Sequence, residues 1–306
     1  MRGKRKSGEA SFDSLENWVA GSTAIIPDNL LKFSRRFLAP DFDRRIELIM
    51  RRYHGGKGDP FGFNFHFAVY VLIVLGIIYR YYFRVRMTGQ ENIPPGKCIL
   101  VANHSGQIPI DGAMIALGLM LDKHEPLLLR SMYEKWAATL PFVSSFFSRC
   151  GQIVGRPENL KRLLGRGETV LAFPEGVKAI TKPYSRAYTL GEFGMGFMRL
   201  ALEHGCPIVP VAVIGAEEQY PSVANLERLA RVLKMPGFPL PVQVFIPILG
   251  LLPLPSKYRI TIGKPLSFSG DPDEEDSVMA QKTWAVKHTI QLMLMKGLKE
   301  RRHIFW

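Results

Sequence analysis

From residue 89 onward, short apolar runs alternate with longer stretches of helical periodicity. This alternation is typical of βαβ construction, in which buried strands are joined by helices. We therefore predict an α/β fold: a single domain with a mixed, mostly parallel central sheet flanked by helices and preceded by N-terminal helices. The predicted strands are 97–102, 126–130, 152–154, 169–173, 207–214 and 258–262, and the predicted helices are Ile110–Leu121, 159–164, 191–204, 224–233 and Asp276–Glu300.

The first third of the chain has a different character. Residues 14–53 indicate a basic, amphipathic helical arm, and the Gly-rich stretch that ends at Pro60 predicts a linker. The most apolar segment follows at 61–79, bordered by aromatic residues and arginines. Its wholly apolar part is shorter than the roughly 20 residues needed to cross a bilayer, which favours an interfacial helix over a span, while burial against the core remains open. The predicted organisation is a basic amphipathic helical arm with its linker at 1–60, an apolar interfacial helix at 61–84 and an α/β domain at 85–306.

The charge balance of 40 Lys and Arg against 27 Asp and Glu gives a net charge of +13. Such a surface suits an anionic partner, which is a nucleic acid, a phosphorylated small molecule or acidic lipid headgroups. The three cysteines, Cys98, Cys150 and Cys206, lie far apart in apolar runs, so neither a disulfide framework nor a paired metal site is expected, and a reducing compartment is favoured.

Two polar loops follow predicted strands, at the sheet edge where α/β proteins place their chemistry. The first carries His104 and, at the start of the next helix, Asp111. A carboxylate that accepts from one imidazole nitrogen leaves the other nitrogen free to take a proton. The second loop carries Glu175, Gly176 and Lys178.

A third position of the same kind is Arg156, which ends the Gly151–Arg156 run behind a short predicted strand. Arg156 and Lys178 are therefore candidates to flank an anionic substrate. Each motif alone is equally compatible with a turn, a cap or a solvated cation. Their order along the chain is more specific.

Four ordered blocks resemble the glycerolipid acyltransferases related to lysophosphatidate acyltransferase. The blocks are Asn103-His104 with Asp111, Gly151 to Arg156, Phe173-Pro174-Glu175-Gly176, and Ile208-Val209-Pro210-Val211. The resemblance covers residues 83–262. It implies transfer of a fatty acyl group from acyl-CoA or acyl carrier protein to a glycerolipid hydroxyl, without a metal or other cofactor.

The resemblance also implies the roles of individual residues. His104 would be the general base and Asp111 its orienting partner, Glu175 and Gly176 would bind the acceptor, and Arg156 and Lys178 would hold its phosphate. The expected partners are membrane lipid with an anionic bilayer surface and the acyl donor, at the cytoplasmic face of a membrane. Nucleic acid is not an expected partner, because the cations lie beside apolar segments.

The chain departs from the family pattern at two places. Six residues separate His104 from Asp111 where the family usually has four, and Lys178 stands where phosphate-binding members commonly have arginine. The longer loop resembles a divergent branch related to diacylglycerol acyltransferases, which favours neutral acceptors. Lysine can still serve as a point charge, but it lacks the bidentate geometry of arginine. The acceptor is accordingly a lysophospholipid such as lysophosphatidate, or a mono- or diacylglycerol.

The rival hypotheses belong to other classes. The sequence has no GxSxG motif of a serine hydrolase and no phosphate-binding GxxxxGK[ST] or GxGxxG motif. A catalytically inactive lipid-binding protein with the acyltransferase fold is the remaining alternative, and the longer His104–Asp111 spacing is its main support. Two further segments are left open: 179–192 closes over a headgroup or is solvated, and the apolar, proline-broken stretch 236–255 is predicted to face lipid or an acyl chain.

Overall fold

A computed structural model describes residues 26–53, 59–105, 108–176, 179, 181–232, 237–245 and 252–306, with the side chains of Glu227 and Val232 left out. Seven strands form one sheet in the order β1-β9-β6-β2-β5-β3-β4, and two more, β7 and β8, form a separate antiparallel sheet. The α/β fold with a mixed, mostly parallel sheet is thus confirmed. The strands are Arg86–Thr88 (β1), Ile99–Ala102 (β2), Arg130–Tyr133 (β3), Ile153–Val154 (β4), Val170–Ala172 (β5), Ile208–Ile214 (β6), Ser222–Asn225 (β7), Pro239–Pro241 (β8) and Arg259–Ile262 (β9).

Helices cover both faces of this sheet. They are Asp28–Phe37 (α1), Phe42–Tyr53 (α2), Phe65–Ile77 (α3), Ile110–Leu121 (α4), Val143–Arg149 (α5), Pro157–Gly165 (α6), Gly196–His204 (α7), Glu227–Val232 (α8) and Asp276–Glu300 (α9). One core cluster joins α2, α3 and α4 to one face of the sheet, and a second joins α6, α7 and α9 to the other.

The strand directions decide where the polar loops meet. β2 pairs in parallel with both β5 and β6, and β5 in turn pairs in parallel with β3. Strand β4 is parallel to β3, whereas β9 is antiparallel to β6. The carboxyl ends of β2, β3, β4, β5 and β6 therefore lie at one edge of the sheet, called here the carboxyl edge.

The apolar segment forms α3 and continues as a further helical turn, Ile78–Tyr82. One side of α3 is buried in the core through Val69, Leu72 and Ile73, whereas Tyr70 and Val74 on the other side are exposed. The whole helical segment Phe65–Tyr82 is, by length and composition, long and apolar enough to cross a membrane. Packing against the core and exposure of an apolar face thus coexist in one helix.

The region before α3 is attached to the sheet. Asp59 lies 2.5 Å, through Oδ1, from Nη2 of the fully buried Arg130 at the start of β3, and its Oδ2 accepts the backbone N–H of Phe63 at 2.9 Å. The predicted linker falls largely on 54–58, and the predicted helical arm partly on 14–25, both outside the described residues. The described part of the arm is two helices, α1 and α2, separated around Pro40, because proline cannot donate within a helix.

Several predicted bounds were wrong for identifiable reasons. The run 126–129 is buried but precedes the sheet pairing, so β3 begins at Arg130. The helix predicted from 191 begins at Gly196, because the N–H groups of Gly191 and Gly194 bond to Glu175 and to the carbonyl oxygen of Pro174. The helix predicted over 224–233 begins at Glu227, because the residues before it pair with β8.

Candidate active site

Asn103 fixes the first polar loop to the neighbouring strand. It follows β2 directly, and its buried side chain pairs with the backbone of Val213 in β6. Nδ2 donates to the Val213 carbonyl at 2.9 Å, and Oδ1 accepts the Val213 N–H at 2.7 Å. This reciprocal pair holds the backbone where the chain leaves the sheet, so that the next residue, His104, starts from a fixed position.

The His104 ring is bound to Asp111. Nδ1 of His104 lies 2.7 Å from Oδ2 of Asp111, which is fully buried in the first turn of α4. The same carboxylate accepts the backbone N–H groups of Ser105 at 3.1 Å and Gly112 at 2.8 Å. A carboxylate only accepts, so this contact assigns the hydrogen to Nδ1 and leaves Nε2 with its lone pair.

The charges around His104 change its basicity. Burial lowers the pKa of His104, but the negative charge and hydrogen bond of Asp111, with the charges of Glu175 and Glu134, outweigh burial and raise that pKa above its ordinary value. The imidazole is therefore a stronger base than a free histidine. The Phe173 ring covers it, with ring centroids 4.4 Å apart.

Glu175 connects the second polar loop with the first. It is buried a short way beyond β5, after Phe173 and Pro174. Its Oε1 lies 3.4 Å from the backbone nitrogen of His104, and its Oε2 accepts the N–H of Gly191 at 2.7 Å. The next residue, Gly176, has a φ of +58°, a backbone conformation that glycine adopts without strain. The structure thus brings His104, Asp111, Glu175 and Gly176 together.

The two cations predicted to bind a phosphate differ in what the structure describes of them. Arg156 is exposed at the start of α6, behind β4, which is separated from β2 by β3 and β5. It shares the carboxyl edge with His104, but no hydrogen bond described joins it to the His104–Asp111 pair. Lys178 lies outside the described residues. Their phosphate-binding role stays a prediction.

Sequence reasoning missed Glu134 and Gly191. Glu134 directly follows β3 at the carboxyl edge, and a Cβ at Gly176 would lie 3.6 Å from its Oε1. The same signal that singled out Glu175, an acidic residue behind a strand, was available for Glu134. Gly191 is far from every strand in sequence, and its contact depends on the fold of the segment before it.

That segment is held by a buried polar cluster. Tyr188 has a φ of +62°, and its hydroxyl donates to Glu218 and accepts the N–H of Gly215 at 2.9 Å. Arg301, just after α9, donates to Oε1 of Glu218 at 2.5 Å. Burial, together with the charge of Glu218, raises the pKa of Tyr188 well above its ordinary value, so the hydroxyl keeps its proton.

The backbone of this segment is bound as well. Gln291 of α9 donates to the Tyr188 carbonyl at 3.0 Å and accepts the Leu190 N–H at 3.1 Å. Lys182 pairs with Glu217 at 2.7 Å, and Glu217 also accepts the Tyr188 N–H at 3.1 Å. The last part of the 179–192 segment is therefore packed into the protein, and it presents the Gly191 N–H to Glu175.

The chemistry available at this edge is that of a base and its orienting acid. Within the described ranges, no group of three or more His, Cys, Asp or Glu side chains is arranged to hold a metal ion. One ring nitrogen of His104 is hydrogen-bonded to the buried carboxylate. The other ring nitrogen makes no bond to that carboxylate, so it can remove a proton from a hydroxyl.

Comparisons with known proteins place this stretch of the chain in a family. The family described as Acyltransferase matches residues 84–214, the stretch that carries His104, Asp111 and Glu175. An uncharacterized protein of Mycobacterium tuberculosis (strain ATCC 25618 / H37Rv) is 35% identical over 255 residues, which are 81% of this chain and 71% of that protein. A probable 1-acyl-sn-glycerol-3-phosphate acyltransferase of Mycoplasma pneumoniae is 24% identical over 187 residues, 59% of this chain and 67% of the relative.

Among solved structures, the 1-acyl-sn-glycerophosphate (LPA) acyltransferase PlsC of Thermotoga maritima is similar with a TM-score of 0.48 and 17% identity, covering 78% of this chain and 89% of that one. The matched profile and the relatives define the class of protein: an acyltransferase. This chain belongs to the family described as Acyltransferase, in agreement with the resemblance of its four sequence blocks.

Proposed function

We propose that this protein transfers a fatty acyl group from acyl-CoA, or from acyl carrier protein, to a hydroxyl group of a glycerolipid at a membrane surface, with His104 as the general base. The observation that carries the proposal is the 2.7 Å contact between His104 and the buried Asp111 at the carboxyl edge. It orients the ring and supplies a base of raised pKa where a substrate can reach the edge of the sheet.

The reaction needs no further activation of the donor, because a thioester is already reactive. Nε2 of His104 takes the proton of the acceptor hydroxyl while that oxygen bonds to the thioester carbonyl carbon. The carbon–sulfur bond then breaks, and the departing thiolate takes the proton from the imidazolium. The products are an ester and a free thiol, and the histidine is again neutral.

Asp111 stabilises the imidazolium that forms between these steps. Its carboxylate is fully buried and already accepts two backbone N–H groups, so it cannot rotate away from the ring. Glu175 holds the backbone at His104 and, with Gly176, forms the neighbouring wall of the proposed acceptor site. Arg156 and Lys178 are the proposed ligands of an acceptor phosphate, or of the phosphates of CoA when the acceptor is neutral.

The membrane surface is the proposed place of action, at its cytoplasmic face. The exposed side of α3 is apolar and aromatic, with Val74 63% exposed and Tyr70 also exposed, and Tyr81 is exposed in the helical turn that follows. The net charge of +13 favours anionic lipid. Acceptors and products with acyl chains reside in such a bilayer, so docking supplies the substrate locally.

The inactive lipid-binding alternative loses its main support in this geometry. The longer spacing between His104 and Asp111 favoured it, yet the two side chains lie within hydrogen-bond distance. A protein that only binds lipid has no need of a histidine held by a buried acid. The described site therefore supports the enzyme.

In the test, purified protein receives labelled acyl-CoA as the donor. The acceptors, assayed in parallel, are lysophosphatidate, other lysophospholipids, monoacylglycerol and diacylglycerol. A second series uses acyl carrier protein as donor. We expect acylated product with one acceptor class; product on neutral glycerides supports the divergent branch, and product on lysophosphatidate supports Lys178 as a phosphate ligand. Absence of product with every donor and acceptor would contradict the proposed function.

A further inference from the structure

The most exposed aromatic side chain on the described surface is Phe142, at 88%. It lies at the start of α5 with a φ of +63°, a left-handed backbone that a phenylalanine rarely adopts. Both features are unfavourable in water, since the ring gains nothing from burial and the backbone is strained.

Phe142 is part of a larger apolar surface. Leu140 and Phe146, each 42% exposed, lie beside it in sequence and on α5. We call Leu140, Phe142 and Phe146 the α5 wedge. Phe146 contacts Phe67 of α3 with ring centroids 5.7 Å apart, which connects the wedge to the apolar, exposed side of α3.

The charges around the wedge indicate its partner. Lys135 precedes it and Arg149 ends α5, and both are exposed. The Arg149 guanidinium lies over the Phe67 ring at 5.7 Å. Aromatic and aliphatic side chains between exposed cations match an anionic bilayer surface, where the rings enter the acyl region and the cations stay at the headgroups.

The wedge also lies beside the site. Tyr133, the last residue of β3, has its ring centroid 4.9 Å from that of Phe147 and its hydroxyl 3.4 Å from Oγ of Ser144, so α5 packs at the carboxyl end of that strand. Glu134, whose charge acts on His104, is the next residue. Insertion of the wedge would therefore bring the carboxyl edge to the lipid.

We propose that the α5 wedge inserts into an anionic bilayer and so directs the carboxyl edge of the sheet, with His104, toward membrane-resident lipid. The biological purpose of insertion rests on the proposed function, whereas vesicle binding can be measured without acyl transfer. Insertion would bury the Phe142 ring, which is exposed in the free protein.

The experiment compares wild type with Phe142→Asn and with the matched control Trp284→Asn. Asparagine tolerates left-handed backbone better than phenylalanine but cannot insert. Trp284 is also exposed, on α9, which packs on the opposite face of the sheet. Binding is measured by co-sedimentation with vesicles of phosphatidylcholine mixed with phosphatidylglycerol, without acyl donor, and folding by thermal unfolding.

We expect Phe142→Asn to lose about tenfold or more in vesicle affinity, with a Tm equal to or above that of wild type, and Trp284→Asn to bind normally. On detergent-dispersed acceptor both variants should keep wild-type activity. Unchanged vesicle affinity of Phe142→Asn, or equal loss in both variants, would overturn the proposal. So would conversion of a dimer to a monomer by Phe142→Asn with vesicle binding unchanged, since the wedge would then contact a second copy.

Failure of the proposed function would look different. If no acceptor is acylated but vesicle binding still depends on Phe142, the wedge stands and the enzymatic role falls. If acylation is normal and vesicle binding does not depend on Phe142, the enzymatic role stands and the insertion of the α5 wedge is disproved. His104→Ala, which removes the proposed base, should bind vesicles as wild type does.

Discussion

Nδ1 of His104 lies 2.7 Å from Oδ2 of Asp111, although six residues separate them in the sequence. The contact is possible because β2 ends at Ala102 and α4 begins at Ile110, which places Asp111 in the first turn of the helix. The positive end of the helix dipole and two backbone N–H groups stabilise the carboxylate there.

Asp111→Asn should lower kcat for acyl transfer by about 10²- to 10⁴-fold while the fold is kept. The amide is the same size as the carboxylate, but it no longer stabilises an imidazolium and can hold the wrong ring tautomer. Steady-state kinetics with circular dichroism check this. A variant with near-normal kcat would show that Asp111 has no part in the reaction.

The acid limb of the pH profile should lie above pH 6.5. Burial lowers the pKa of His104, but Asp111 and the acidic neighbours outweigh burial, so that the pKa lies above its ordinary value. The histidine can act as a base only when it is neutral. The value of kcat/KM should therefore fall as the pH drops through this raised pKa. Residual activity of Asp111→Asn should show its acid limb at lower pH; an unshifted limb would point to another titrating group.

Asn103→Ala should lower the free energy of unfolding by about 1–3 kcal/mol, since the buried N–H and carbonyl of Val213 lose their partner. The loss is measured by urea unfolding. Asn29→Ala, at an exposed position in α1, is the control and should change stability little. Equal stability of Asn103→Ala and wild type would contradict the anchoring role of this side chain.

Arg301→Met should destabilise the protein by about 1–3 kcal/mol and lower kcat several-fold, with Arg301→Lys retaining most of both. The change leaves buried Glu218 without its cation and loosens Tyr188, and with it the Gly191 N–H that binds Glu175. The loss of stability is smaller than for a fully buried ion pair, because the Arg301 side chain reaches solvent. If folded Arg301→Met kept the wild-type kcat, the cluster around Tyr188 and Glu218 would have no influence on the active site.

The sheet was predictable because its strands are continuous apolar runs. Ile99–Ala102 and Ile208–Ile214 are buried on both faces, which makes their hydrophobicity unmistakable. Strand β1 was missed since it has three residues and alternates exposed with buried positions at the edge of the sheet. Helix α5 was missed because its apolar residues face outward as well as inward.

The candidate site was predictable only in part. His104, Asp111 and Glu175 stand beside strand ends, so local sequence and parallel pairing suffice to bring them to one edge. The support of Glu175 by Gly191 depends on residues about a hundred positions away, notably Gln291 of α9 and Arg301 just after that helix. Such contacts leave no pattern in the sequence near the site.

The most direct test of the central claim is the rate of acyl transfer by His104→Gln beside wild type and His124→Gln, on the acceptor that wild type uses. His124 is an exposed histidine just after α4 and serves as the matched control. The account predicts a loss of at least about 10²-fold for His104→Gln, with wild-type vesicle binding and wild-type rates for His124→Gln. Transfer by folded His104→Gln at the wild-type rate would contradict it.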